Sequence, residues 1–124
     1  MSDTATKDTV TLRIEVSKQL LMDLLCTAVE GGSNYWAEFG RCQRTPDLDY
    51  LSADVFELDT HRADQPKLHR IVTADELAHG LENLARATFA SAARHLADAL
   101  SENGDAVTAD VVLQMTVFGD VVYG

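Results

Sequence analysis

The stretch E-G-G-S-N-Y-W, residues 30–36, separates the two kinds of pattern found in this chain. It holds two of the seven glycines, the single tryptophan and one of the three tyrosines. A helical apolar pattern precedes it, and short alternating segments with polar turns follow it. Because glycine adopts the left-handed conformation after a helix at little cost, Gly31 and Gly32 predict the end of that first helix.

The residues before this stretch predict a strand followed by a helix. Residues 9–16 read T-V-T-L-R-I-E-V, with apolar side chains at every second position. This period of two is typical of an antiparallel strand with one buried face. Ser17 then offers a helix N-cap. One apolar helical stripe follows, formed by Leu20, Leu21, Leu24, Leu25, Ala28 and Val29.

The middle of the chain predicts three further short strands. Alternation in residues 33–44 favours a strand, although Ser33 or Asn34 would also cap a short helix. Residues 48–59 and 67–72 alternate in the same way. Polar turn residues separate these segments, among them the run T-P-D at residues 45–47. A meander of strands is therefore expected.

The second half of the chain predicts one long helix rich in alanine. Thr73 and Glu76 have the spacing of a capping box. An apolar face then continues to about residue 100, with an expected end near Glu102. Gly80 costs about 1 kcal/mol inside a helix, which indicates a close approach to a neighbouring element.

A last helix is expected near the C-terminal end. Thr108 and Asp110 have the chemistry of cap residues, and V-V-L-Q-M-T-V-F follows them. A buried strand would fit the same residues, but Gly119 supplies a helix stop. The expected fold is α+β, with a mainly antiparallel sheet of about 3–4 strands and about 3 helices. Residues 9–124 are expected to form one domain after a flexible leader at residues 1–8.

The charge of the chain restricts its partners. The formal net charge is −10, from 20 acidic and 10 basic side chains among 124 residues. This disfavours direct binding of nucleic acid or of anionic membranes. The acidity either serves solubility or forms a face for a partner protein with a basic surface. No export signal or membrane span is expected, so the predicted location is the cytoplasm.

Sequence motifs of catalysis are missing from the chain. It has no GxSxG, GxGxxG or Walker sequence, and no pair among its four histidines has the i, i+4 spacing of a helical zinc site. We therefore expect a protein that is not an enzyme and that uses neither a metal nor another cofactor.

The candidate binding residues lie in and just after the opening stretch. Asn34, Tyr35 and Trp36 follow the double glycine, where aromatic side chains often anchor a partner. Arg41 and Arg44 would add charge to this patch. The competing interpretation places one or both aromatic residues in the core.

Three segments resemble a group of small phage and prophage proteins of unassigned function. They are L-L-C-T-A-V-E-G-G-S-N-Y-W-A-E at residues 24–38, A-D-V-V-L-Q-M-T-V-F-G at 109–119 and D-V-V-Y-G at 120–124. The resemblance implies a phage-derived accessory protein acting inside a bacterial host cell. It implies no catalytic residue.

These observations lead to three functional hypotheses. The first is a non-enzymatic inhibitor or modulator of a host protein, for example an anti-defence protein of the anti-CRISPR kind, acting through an acidic surface. The second is a nucleotide-type ligand bound by the loop at residues 31–36, whose backbone amides could hold an anion. The third is a virion assembly protein that forms homo-oligomers through the alanine-rich helix.

Overall fold

The computed structural model describes residues 9–45, 50–58 and 66–124, without the side chains of residues 41–45 and 50. This part of the chain forms an α+β fold with a three-stranded antiparallel sheet and four α-helices. The expected leader at residues 1–8 and the turn at Pro46 and Asp47 lie outside it. The helices are α1 (Lys18–Thr27), α2 (Leu77–Arg86), α3 (Ala92–Leu100) and α4 (Ala106–Val117), and the strands are β1 (Ala37–Thr45), β2 (Tyr50–Glu57) and β3 (Leu68–Thr73).

The sheet confirms the predicted meander. β2 lies between β1 and β3, and both pairings are antiparallel. The β1–β2 register pairs Ala37 with Glu57, and it shifts between Phe39 and Cys42 as in a β-bulge. Every second side chain of a strand lies on the same face of the sheet, and one face packs on the core. Val55 and Val72 are fully buried there.

The N-terminal segment does not form the predicted strand. Residues 9–17 have no regular secondary structure, and no strand ladder of the described residues includes them. The period of two is nevertheless meaningful, since Leu12, Ile14 and Val16 all line one groove beside α2 and α3. The predicted apolar face therefore exists, but it forms one wall of an open groove and is not part of the sheet.

Helix α1 begins as predicted and ends differently. Ser17 caps it through an Oγ that accepts from the Leu20 amide. The chain then continues as a π-helical turn, Ala28–Gly32, closed by the Ser33 amide donating to the Ala28 carbonyl at 3.0 Å. The left-handed conformation expected for Gly31 or Gly32 is wrong, since neither has a positive φ. Gly32 is needed because its α-carbon packs against the Ala106 carbonyl.

The single long helix predicted for the second half is also wrong. The capping box of Thr73 and Glu76 is confirmed, but it opens a 3-10 turn, Ala74–Glu76, that leads into α2. Ala87 is extended, with ψ of 149°, and separates α2 from α3. This break lets both helices pack on α4: Asn83 of α2 donates to the Met115 carbonyl at 2.9 Å, and His95 of α3 hydrogen-bonds Thr108 at 2.9 Å.

Helix α4 confirms the last predicted helix, with a different cap. Asp105 is the N-cap and accepts from the Thr108 amide at 2.9 Å, so the cap role expected for Thr108 and Asp110 is wrong. Gly119 follows the helix with φ of +74°, as its stop role requires. The close approach predicted at Gly80 is confirmed, because a Cβ there would lie 2.1 Å from the Thr116 hydroxyl.

Candidate functional site

A buried carboxylate joins two segments that are far apart in sequence. Asp110 lies in α4 and is 6% exposed, and it accepts hydrogen bonds from the loop at residues 33–36. The C-terminal tail, residues 119–124, packs against the same loop. The stretch at residues 30–36 and the tail therefore form one structural unit around α4.

Four donors surround the Asp110 carboxylate. Its Oδ1 accepts from the Ser33 hydroxyl at 2.7 Å and from the Trp36 indole N–H at 2.7 Å. Its Oδ2 accepts from the Tyr35 hydroxyl at 2.5 Å and from the Gln114 amide at 3.1 Å. A carboxylate has about four lone-pair sites, so these four donors match its full accepting capacity.

Gln114 extends this network to the tail. Its side chain is fully buried one helical turn after Asp110. The Gln114 Oε1 accepts from the amides of Val122 and Tyr123 at 2.8 and 2.9 Å, and its Nε2 also lies 3.2 Å from the Tyr123 carbonyl. One amide side chain thus fixes the backbone of the tail against α4.

Trp36 belongs to the core. Its side chain is 1% exposed and its ring stacks on Tyr123, with ring centres 5.5 Å apart and planes 5° apart. Phe118 contacts the indole at a centre distance of 5.3 Å. Of the two interpretations open for Trp36, the structure supports the core one, so this residue has no surface with which to anchor a partner.

Tyr123 connects the tail to the sheet. Its hydroxyl donates to the carboxylate of Glu57 in β2, and Lys67 lies 3.9 Å from the same carboxylate. The hydrogen bond to Glu57 raises the pKa of Tyr123, and burial adds to this effect. The tail is therefore held at both of its sides, by α4 and by β2.

Asn34 and Tyr35 form the exposed part of the loop, which we call the Asn34–Tyr35 rim. Tyr35 is 55% exposed although its hydroxyl is bonded to Asp110. Asn34 is exposed and lines an open depression beside the first residues of β1. The depression is lined by Val29, Asn34, Ala37, Glu38, Phe39, Gly40 and Leu58. The rim is thus an accessible surface, and the hydrogen bonds of Ser33, Tyr35 and Trp36 to Asp110 hold it in place.

The two predicted arginines lie in the strand beside the rim. Arg41 and Arg44 belong to β1, and their side chains are outside the described residues. Arg41 falls within the register shift of β1. The basic-aromatic patch expected from the sequence lacks Trp36, because the indole is buried.

The raised pKa of Tyr35 should make the stability of the fold depend on pH. Burial, then the hydrogen bond and the charge of Asp110, raise the pKa of Tyr35 to about 12. A raised folded-state pKa stabilises the fold below the unfolded value near pH 10, and this contribution is lost as the pH rises towards about 12. We expect the free energy of unfolding of the wild type to fall more steeply between about pH 9 and 11.5 than that of Tyr35→Phe, measured by urea titration. Equal slopes in the two proteins would refute the assignment.

Sequence reasoning missed Asp110 and Gln114. The sequence does contain a signal for them, since both are strongly polar, lie at i and i+4, and interrupt a mainly apolar helix. Two polar residues on one buried helical face require partners elsewhere in the fold. Ser33, Tyr35 and Trp36 are the distant partners of Asp110, and the backbone of Val122 and Tyr123 is the partner of Gln114. No local pattern identifies these partners.

Neither a metal site nor a membrane span emerges from the part of the chain that the structure describes. Within residues 9–45, 50–58 and 66–124, no three His, Cys, Asp or Glu side chains converge as metal ligands would. No helix of these same ranges is both long and apolar enough to cross a bilayer. Comparisons with protein-family models, with curated proteins and with solved structures found no match to this chain.

Proposed function

We propose that this chain is a non-enzymatic, phage-derived binding protein that acts in the cytoplasm of a bacterial host. It binds a host protein with a basic surface and inhibits or modulates it, as anti-CRISPR-like proteins inhibit host defence. The observation that carries the proposal is the Asn34–Tyr35 rim, an exposed aromatic surface held in place by a buried carboxylate. The acidic composition and the lack of catalytic sequence motifs support it.

Pre-organisation makes the rim suited to binding. Association loses free energy when loops and side chains must be ordered on contact, and rigid loops avoid that loss. Ser33 and Trp36 hold the two ends of the rim, while Tyr35 is fixed by its hydroxyl. Tyrosine is enriched among residues that dominate binding energy.

The charge next to the rim fits a basic partner. Glu30 and Glu38 flank the rim in sequence and are exposed, and Glu38 lines the same depression as Asn34. Exposed acidic groups around an interface mainly raise the association rate with a basic surface. Binding should therefore weaken as salt concentration increases.

The test is a quantitative pull-down from bacterial lysate with matched variants. We expect Tyr35→Ala to bind the recovered protein at least about tenfold more weakly than the wild type, because truncation of a central aromatic anchor typically costs about 2 kcal/mol or more. Ile71→Ala removes a similarly exposed apolar side chain from β3 and should bind like the wild type. Urea unfolding of each variant separates loss of the surface from loss of the fold.

Two results would contradict the proposal. One is the recovery of no partner at any salt concentration. The other is equal recovery by Tyr35→Ala and the wild type, which would place the interface elsewhere.

The nucleotide-binding alternative has less support. Trp36 cannot stack on a ligand while it packs between Tyr123 and Phe118. The amides of Ser33, Trp36 and Ala37 donate to carbonyls of the protein, so they are not available to an anion. The assembly alternative is weakened in a similar way, because Ala92 and Ala99 of the alanine-rich region are buried.

A further inference from the structure

The segment at residues 10–16 presents apolar side chains to solvent in a strand-like pattern. Val10, Leu12 and Ile14 are 86%, 84% and 63% exposed. They alternate with polar residues, as in a strand whose one face is covered. Three large apolar side chains in one short segment indicate a surface that is covered in the functional state of the protein.

This segment forms one wall of an apolar groove. Leu12, Ile14 and Val16 lie on the same side of the segment and line a groove of about 240 Å³. The other lining residues come from α2 and α3: Ala78, Leu81, Glu82, Ala85, Leu96 and Leu100. An occupant that covers the groove would thus contact both the segment and the two helices.

We propose that a second copy of this chain covers this surface, through antiparallel pairing of residues 12–16 of the two copies about a two-fold axis at Ile14. Such pairing is isologous, so each copy gives and receives the same contacts. Leu12 of one copy lies opposite Val16 of the other, and Ile14 lies opposite itself. The apolar faces of both segments then lie together over the grooves.

Charge selects this register over its neighbours. With the axis at Ile14, Arg13 of each copy lies opposite Glu15 of the other, which gives two pairs of opposite charge. With the axis at Arg13, the two arginines would face each other and repel. An axis at Leu12 would place Arg13 opposite Thr11 and would form no charge pair. A slip of one residue would set apolar side chains opposite polar ones.

Charge exchange tests the pairing directly. We expect the wild type to sediment at about 27 kDa, twice the 13.5 kDa of one copy, at high concentration and moderate salt. Arg13→Glu or Glu15→Arg alone should weaken the dimer at least about tenfold, because attraction becomes repulsion at two symmetric positions. The double variant Arg13→Glu, Glu15→Arg restores opposite charges and should return to within about threefold of the wild type.

A second variant tests the apolar face. Ile14→Ser should leave a monomer with unchanged urea unfolding at low concentration, because Ile14 is mostly exposed within one copy. Val107→Ser removes an exposed apolar residue on α4 and serves as the control that keeps the dimer. A monomeric wild type at about 0.5 mM would overturn the proposal, since even a weak interface forms there. The proposal would also be overturned if the wild type is a dimer but the double variant Arg13→Glu, Glu15→Arg dimerises as weakly as the single variants.

Discussion

Replacing Asp110 with alanine should lower the free energy of unfolding by about 3–5 kcal/mol, since each buried donor left without an acceptor costs about 1–3 kcal/mol. The Ser33 hydroxyl and the Trp36 N–H are buried and would lose the carboxylate oxygen that accepts from both of them. The Tyr35 hydroxyl belongs to a half-exposed side chain and can turn to water. Two fully buried donors therefore account for most of the loss.

Asp110→Asn should cost less, about 1–2 kcal/mol. The asparagine oxygen can still accept from Ser33 and Trp36. The NH₂ groups of the new asparagine and of Gln114 are both donors, so they cannot bond to each other. The Tyr35 hydroxyl can instead accept from the asparagine NH₂ group. We therefore expect stability to increase from Asp110→Ala to Asp110→Asn to the wild type. This order would show that Asp110 stabilises the fold through hydrogen bonds and not only through packing.

Urea unfolding followed by Trp36 fluorescence measures both effects in one experiment. The single tryptophan is buried against Tyr123 and Phe118, so the native emission should be blue-shifted and protected from quenchers. Glu82→Ala, an exposed carboxylate with one 4.0 Å contact to Arg86, is the control and should stay within about 0.5 kcal/mol of wild type. A loss below about 1 kcal/mol for Asp110→Ala would contradict the role assigned to the network.

The second large effect is expected at one glycine of an adjacent pair. Gly32→Ala should cost about 2–3 kcal/mol, because a Cβ there would lie 2.5 Å from the Ala106 carbonyl oxygen. That oxygen belongs to the backbone of α4, so the π-helical turn or α4 must move as a unit. Such a movement would also strain the bond between Ser33 and Asp110.

Gly31→Ala is the matched control for this substitution. Among the residues that the structure describes, nothing beyond the local helix backbone lies within 4 Å of a Cβ at Gly31, and its φ is not positive. Alanine there should be neutral or stabilising by up to about 0.5–1 kcal/mol, since it restricts the unfolded chain. Urea titration of the two variants measures the difference. Equal stability of Gly31→Ala and Gly32→Ala would show that the close approach to Ala106 does not constrain the fold.

Local patterns predicted most of the secondary structure. Alternation in residues 48–59 and 67–72 gave strands that the structure confirms as β2 and β3. The capping box at Thr73 is local chemistry between residues three apart, and it is also present. The sequence did not predict the break after α2 because Ala87 and its neighbours are compatible with a helix, whereas in the structure α2 and α3 each contact α4 separately.

The candidate site was predictable only in part. The sequence drew attention to residues 34–36 because they combine aromatic side chains with a preceding double glycine. It left open whether Trp36 is exposed, since burial depends on Tyr123 and Phe118, which lie more than 80 residues further along the chain. The loop partners of Asp110 could not be predicted either. Hydrogen bonds between residues so far apart in sequence depend on the fold and leave no periodic pattern in the sequence.

By itself, the sequence determined the strand meander, the start of α1, the capping box and the last helix, since each depends on side chains within a few residues of one another. Tertiary structure decided the meaning of residues 30–36. There, Gly32 makes room for the Ala106 carbonyl, Ser33 and Trp36 bond to Asp110, and Tyr35 remains at the surface. The physical reason is that α4 and the tail lie far along the chain from this loop, and only the folded molecule brings them into contact with it. From the local sequence alone, Gly31 and Gly32 predict only the end of a helix.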